Sequence, residues 1–331
     1  MAVTIKDVAA MAGVSSATVS RVINGTAQVS ADKIKAVRDA VDKTGFQVSM
    51  AARSLAKGRA ESIAVVLTEP VDQLFYDPTY TTILRGIMEG ISETEFSPIL
   101  ISAANDAERE KARKLLGRKA ADAIIHLSPY ISDPLLHDPG LASIPLVLCG
   151  SATATEAVRP HSVVSSDDAF GAKMIGDHLV SVGARSVLPL MGPPDNPATV
   201  DRLLGYHESL GRALFSPVFV GDWTEHSGYR HMARWLDEGK ETDAVVCGND
   251  RIAAGAIRAL KGRGLRTPED VRVFGFDDHA LAAENDPPIS TVRLPFREQG
   301  EMAVELALDL MAGGAPRMEM LATRLVLRQS G

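Results

Sequence analysis

Five residues of this 331-residue chain stand beyond short apolar runs or near the first crossover, and together they could recognise a polyhydroxylated molecule. Asp277 follows "VRVFGF", Asn249 follows "AVVCG", and Trp223 follows "PVFVGD". Arg202 comes after "SVLPLMGPPDN", and Tyr80 closes "DPTY". Carboxylate, amide and guanidinium groups bond paired hydroxyls, while an indole face covers the C–H side of a sugar ring. Each residue also has a plainer role open to it. Trp223 could be interface packing, Asp277 or Asp278 could cap a turn or helix, and Arg202 could pair with a surface acid.

The elements that must position these groups alternate. The strand candidates are "SIAVVL", "SPILIS", "ADAIIHL", "IPLVLC", "SVLPLM", "PVFVG", "DAVVC" and "VRVFGF". Amphipathic stretches such as "TTILRGIMEGISET", "VDRLLGYHESLGRA" and "RIAAGAIRALKGRG" separate them. That alternation predicts parallel sheets with helices on both faces, and about nine such units are too many for one small sheet. Two doubly wound subdomains are therefore expected. Ligands of such sheets bind beyond the carboxyl ends of the strands, where the five residues fall.

The first sixty residues read differently. They hold nine Lys/Arg against four acids, whereas the rest holds 26 bases against 38 acids, within a net charge of -7. A basic head on an acidic body suits a chain of which only the head meets a polyanion. Thr4 with Asp7 can cap a first helix, whose inner face is Ile5, Val8 and Ala9. Gly13 breaks it, and Ser15 can cap a second helix with inner residues Val19, Val22 and Ile23, ending at Asn24-Gly25. A third helix runs from a Ser30 cap to Gly45. Helix, tight turn, helix predicts a helix-turn-helix, with a plain three-helix mini-bundle as the alternative. Its second helix would expose Ser16, Ala17, Ser20 and Arg21. Small residues let it sink into the major groove, Ala can touch a thymine methyl, and Arg can read guanine or bind phosphate.

"TIKDVAAMAGVSSATVSRVING…VS…V…AV…TGF" closely resembles the DNA-binding head of the lactose-repressor family of bacterial transcription regulators. The resemblance implies base contacts from Ser16, Ala17 and Arg21, and phosphate contacts from Thr4, Ser15, Thr18, Ser20 and Asn24. The segment "ARSL" matches a hinge helix, with Leu55 as the apolar wedge pushed between base pairs in the minor groove. Val48-Ser49 stand where the family usually carries Pro-Asn. "DRLLGY", "GDWTEHSGYR", "CGNDRIAAGAIRAL", "VFGFDD" and "PPISTVRLPFREQGEMAVELALDLMAGG" extend the resemblance over essentially the whole chain. They imply effector contacts from Arg202, Trp223, Asn249 and Asp277, with Tyr80 and Asp167 beside them. The implied body resembles periplasmic sugar-binding proteins, the chain crossing between subdomains near residues 160, 289 and 320.

The expected organisation is a helix-turn-helix head over residues 1–48, a hinge over 49–61 and an effector-binding, dimerising body over 62–331. Within that body, residues 62–160 and 289–320 form the N-subdomain, and 161–288 and 321–331 the C-subdomain. The expected function is a repressor that grips pseudo-palindromic operator DNA as a homodimer and answers to a small sugar, with no cofactor or metal. A sugar-handling enzyme with a Rossmann-like body is the alternative. Against it, no strand is followed by G-x-G-x-x-G, and neither a G-x-x-x-x-G-K-[ST] loop nor a nucleophile elbow is present. The eight His lack metal-ligand spacing. Cys149 and Cys247 sit in apolar runs, as in a reducing cytoplasm. No apolar run reaches the length of a membrane span, and the N-terminus lacks a secretory pattern.

Overall fold

The computed structural model describes residues 3–24, 29–46, 59–131, 133–150 and 160–331. The chain divides into two units, Met1–Ala60 and Glu61–Gly331. The smaller holds α1 (Ile5–Ala12), α2 (Ser16–Asn24) and α3 (Ala31–Thr44). Local chemistry sets these boundaries. Thr4 donates to Asp7 Oδ2 from its amide at 2.8 Å and its hydroxyl at 2.7 Å. Gly13 closes α1 in the left-handed region, at φ 65°, where a side chain would be strained. Thr18 N donates to Ser15 Oγ at 3.2 Å, capping α2. Val8, Ala9, Val19, Val37 and Ala40 are buried together, so one small core holds all three helices. The hinge expected over 49–61 falls largely outside the described residues, as do Gly25, Val48-Ser49 and Leu55.

The larger unit contains two parallel sheets. The first runs β11-β5-β4-β3-β1-β2, formed by Met318–Leu321, Ser162–Ser166, Leu146–Cys149, Ala123–Leu127, Ser62–Leu67 and Ser97–Ser102. The second runs β7-β6-β8-β9, formed by Val218–Phe219, Val187–Met191, Ala244–Cys247 and Arg272–Phe274. Nine helices of this unit are needed below: α4 (Val71–Tyr76), α5 (Pro78–Ser92), α6 (Asp106–Gly117), α7 (Asp168–Ser181), α8 (Pro197–Leu210), α9 (Glu225–Asp237), α10 (Asp250–Lys261), α11 (Ala280–Glu284) and α12 (Phe296–Met311). Both faces of each sheet are covered. Ile63, Val65 and Ile125 pack towards Ile83, Ile87 and Val304 on one face of the first sheet, whereas Ala64, Ile124 and Leu146 pack towards Ala112 and Leu116 on the other. Leu188, Val245 and Val273 pack against Ile252, Ala256 and Leu260 of α10. Close helix approach needs glycine here. A Cβ on Gly86 of α5 would collide with the Arg297 carbonyl of α12. This is the doubly wound, two-subdomain body that the strand–helix alternation predicts.

The crossing expected near 160 lies later. "SVVSS" forms β5, in register with β4 (Val147↔Ser162, Cys149↔Val164) and inside the first sheet, so the chain leaves that sheet only after Ser166. Three of the five β5 residues are serine, which hid a buried strand behind a polar composition. The remaining passages run along β10 (Thr291–Arg293) and β12 (Arg324–Val326), an antiparallel pair joining the subdomains.

Candidate effector cleft and DNA-reading helix

The carboxyl ends of the strands converge on a cleft with about 720 Å³ of open space. At its centre lies Arg202, projecting from α8 and only 5% exposed. Its Nε donates to Asp168 Oδ1 at 2.6 Å, its Nη1 to the Gly248 carbonyl, and its Nη2 to Asp277 Oδ1 at 3.4 Å. The guanidinium carbon stands 4.0 Å from the Phe276 ring centroid and 5.9 Å from that of Trp223. A planar, always-charged fork held from three sides presents its remaining edge in one orientation. Arg202 thus pairs with buried acids rather than with a surface acid.

Burial pushes the Asp277 carboxyl well above the usual carboxylate range, with Arg202 acting against that rise. Burial likewise raises Asp168, again opposed by Arg202. His279 Nε2 stands 3.7 Å from the other Asp277 oxygen, and carboxyl groups held out of water in this way can accept hydrogen bonds from hydroxyls. Asp277 also has φ 103°, a conformation costing a residue with a side chain about 1–3 kcal/mol. The Val292 carbonyl, accepting from Asp277 N at 2.8 Å, fixes it there. The strained aspartate is therefore tied directly to crossing strand β10.

Trp223 sits in the turn before α9, and its ring passes over the backbone of Gly192: a Cβ there would fall 2.5 Å from Cη2 of the indole. Asn249 plays two parts. Its Oδ1 caps α10 by accepting from Ile252 N at 2.8 Å, while its Nδ2 donates to the Trp223 carbonyl at 3.2 Å. Tyr80, on α5, is buried against the opposite wall, and burial drives its hydroxyl far above the ordinary phenol range. Tyr80, Arg202, Trp223, Asn249 and Asp277 thus line one cleft. Asp167 does not. It caps α7, accepting from Phe170 N at 3.0 Å, and the next residue, Asp168, faces Arg202 in its place.

Residues that sequence reasoning missed complete the walls, among them Asp77, Asp168, Asn196, Phe296 and Gln299. Of these, Asp77 was within reach, because it opens "DPTY" and caps α5 by accepting from Thr79 N at 2.9 Å. Contacts also reach across the cleft. His279 Nε2 lies 2.9 Å from Thr79 Oγ1 while its ring stacks on Phe296, and Arg251 Nη1 lies 3.3 Å from Asp77 Oδ2. Asp77 and Thr79 follow the first sheet's β1, whereas Arg251 and His279 follow strands of the second. Among the described residues no His, Cys, Asp and Glu group has the arrangement to hold a metal ion.

On the head, Ala17 and Arg21 are exposed one turn apart on α2, and Ser16 and Ser20 beside them are half-buried. Ser15 and Thr18 share a hydrogen bond between hydroxyls at 2.9 Å. Thr4 spends its hydroxyl proton on Asp7, so it meets a phosphate only by releasing that carboxylate. The bond from the Thr4 hydroxyl is the main reason the Asp7 carboxyl sits below its ordinary range. The Asn24 side chain and Leu55 lie outside the described residues.

The chain combines a helix-turn-helix head with two doubly wound sheets that close round a buried arginine, the make-up of a DNA-binding regulator with a small-molecule effector. The chain belongs to the lacI family of bacterial regulatory proteins, whose model matches residues 4–49, and a periplasmic binding protein-like domain matches residues 176–331. It is 34% identical over 334 residues, 99% of this chain and 98% of its relative, to the HTH-type transcriptional regulator CelR of Thermobifida fusca. A solved CelR–cellobiose complex superimposes with a TM-score of 0.76 at 32% identity, covering 99% of this chain and all of that one. The lac repressor dimer bound to operator and the anti-inducer ONPF superimposes with a TM-score of 0.82 at 26% identity, covering 100% and 99%. These relatives are transcriptional regulators and not enzymes, which removes the sugar-handling-enzyme reading. No helix among the described residues is long and apolar enough to cross a membrane.

Proposed function

We propose that this regulator is a cytoplasmic repressor that binds pseudo-palindromic operator DNA as a homodimer and releases or tightens it when a sugar enters the cleft. The observation that carries the sugar reading is Arg202 clamped between Asp168 and Asp277, with the Trp223 indole beside it. Paired polar groups next to an aromatic face match the paired hydroxyls and C–H face of a pyranose. The cellobiose held by CelR supports the same reading. In this scheme residues 1–48 read DNA, 49–61 carry the signal with Leu55 in the minor groove, and 62–331 bind effector and dimerise. Asp168 takes the effector contact first assigned to Asp167, and the first subdomain extends past 160 to Ser166.

The hydrogen bond from Asp277 N to the Val292 carbonyl supplies a route for the signal, because a ligand that draws on Asp277 also loads the strand joining the subdomains. The test is a thermal-shift screen of mono- and disaccharides, followed by operator titration with and without each hit. A sugar that binds the native protein raises its melting temperature and changes operator affinity. A hit that stabilises the protein yet leaves operator affinity unchanged refutes the regulatory reading.

A further inference from the structure

A second polar cavity borders the effector cleft. It opens beyond the ends of β1 and β3, with about 760 Å³ of space open to solvent and lined by Thr68, Glu69, Arg109, Tyr130, Asp133 and Asp195, among others. The two cavities share a wall. Pro129 faces the effector cleft and Tyr130 the second cavity; Asn196 faces the first and Asp195 the second. Side chains contribute to that wall beside the main chain of these neighbours: the Tyr130 hydroxyl donates to the Glu69 carboxyl, and the Asn196 side chain bonds the same phenol.

The chemistry of the second cavity repeats that of the first. Glu69 and Asp195 supply acceptors, Tyr130 an aromatic ring and a hydroxyl, and Arg109 a guanidinium. Arg109 gives Nη2 to Asp106 at 2.7 Å and Nη1 to the Ala103 carbonyl at 3.4 Å, while its Nε is buried with no hydrogen-bond partner. A buried donor left unanswered is a place where a ligand oxygen is favoured. Burial raises the Glu69 carboxyl above its ordinary range, against the lowering effect of Tyr130. The segment joining the cavities, from Pro70 to Asp77, carries α4, whose Phe75 and Tyr76 are 74% and 73% exposed.

We propose that the second cavity is a subsite for a further sugar unit, so that the effector is an oligosaccharide of two or more units rather than a monosaccharide. One ring lies among Trp223, Arg202 and Asp277; the next lies beside Tyr130, with its hydroxyls on Glu69, Asp195 and Arg109. This rests on the sugar reading above.

The test is calorimetric titration of the full-length protein with glucose, galactose, cellobiose, lactose and maltose. At least one disaccharide binds about tenfold or more tightly than its parent monosaccharides, at one per chain. Tyr130→Ala and Glu69→Gln each weaken that disaccharide by about tenfold, towards the monosaccharide value, and leave the monosaccharide within about twofold. Tyr130→Phe, which keeps the ring, loses less, and thermal melts of all three variants match wild type. Trp223→Ala weakens both sizes of ligand. Equal affinity for both sizes, equal losses for both in the Tyr130 and Glu69 variants, or two monosaccharides per chain overturns the subsite while leaving the sugar reading intact. Binding of none of the five sugars by the wild type overturns the sugar reading and the subsite with it.

Discussion

Arg202 Nε lies 2.6 Å from Asp168 Oδ1, and each side chain has more than nine-tenths of its surface buried. Such a pair adds little net stability, because desolvation of both charges offsets their attraction, yet losing one partner strands the other. Arg202→Ala leaves Asp168 and Asp277 facing each other without their common cation. We expect it to destabilise the body by about 3–5 kcal/mol, read by urea denaturation. Asp168→Asn keeps the shape and one acceptor, and loses less. If Arg202→Ala unfolds at wild-type urea concentration, the clamp does not hold the cleft.

Asp250 gives the fold a pH dependence of definite sign. Its side chain is wholly buried, accepting from Thr291 Oγ1 at 2.6 Å and His279 N at 2.9 Å, and burial pushes its carboxyl up to about 7. In the unfolded chain that group titrates near an ordinary aspartate, at about 4. The native state therefore binds the extra proton between about pH 4 and 7, and the stability this provides is lost as pH rises through 7. Asp250→Asn does not titrate, so its melting temperature should gain on wild type between pH 5 and pH 8 by on the order of several degrees. A constant difference across that range would show that Asp250 ionises normally.

Arg21 on α2 is exposed beside Ala17. If it reads a base edge, Arg21→Ala costs about 1–3 kcal/mol on the operator, or roughly five- to 150-fold in Kd. The loss falls on the operator alone, with affinity for random DNA and the salt slope nearly unchanged. A uniform loss on both DNAs with a slope reduced by about one unit would assign Arg21 to phosphate instead.

The head was legible because its signals are local. Thr4 with Asp7, Gly13 and Ser15 each act within three or four residues, and the structure places each at the helix end its type favours. The sheets were legible through strand–helix alternation, and Asp277, Asn249 and Trp223 through their positions just past apolar runs, whereas Arg202 and Tyr80 stand farther on, within α8 and α5. What escaped depends on distance in sequence. Neighbouring Asp167 and Asp168 look alike until α7 sets their directions and Arg202, 34 residues on, selects one. Strand β5 is polar in composition and buried only because β4 and β11 flank it. His279 meets Thr79 across 200 residues, a contact no window on the sequence contains.

Trp223 and Asp277 separate effector binding from DNA binding. Both belong to the body, whereas α2, the helix proposed to read DNA, belongs to the head unit. Trp223→Ala removes the aromatic wall over Gly192, and Asp277→Ala removes an acceptor of Arg202 together with the side chain carried at φ 103°. The double variant should lose the effector response, read as the change in operator affinity on adding the sugar identified by thermal shift. Its operator affinity without sugar should stay within about threefold of wild type, a difference below 1 kcal/mol. The two measurements need each other, since lost response with lost DNA binding would signal only a damaged fold. A full effector response in the double variant would place the effector site elsewhere in the body.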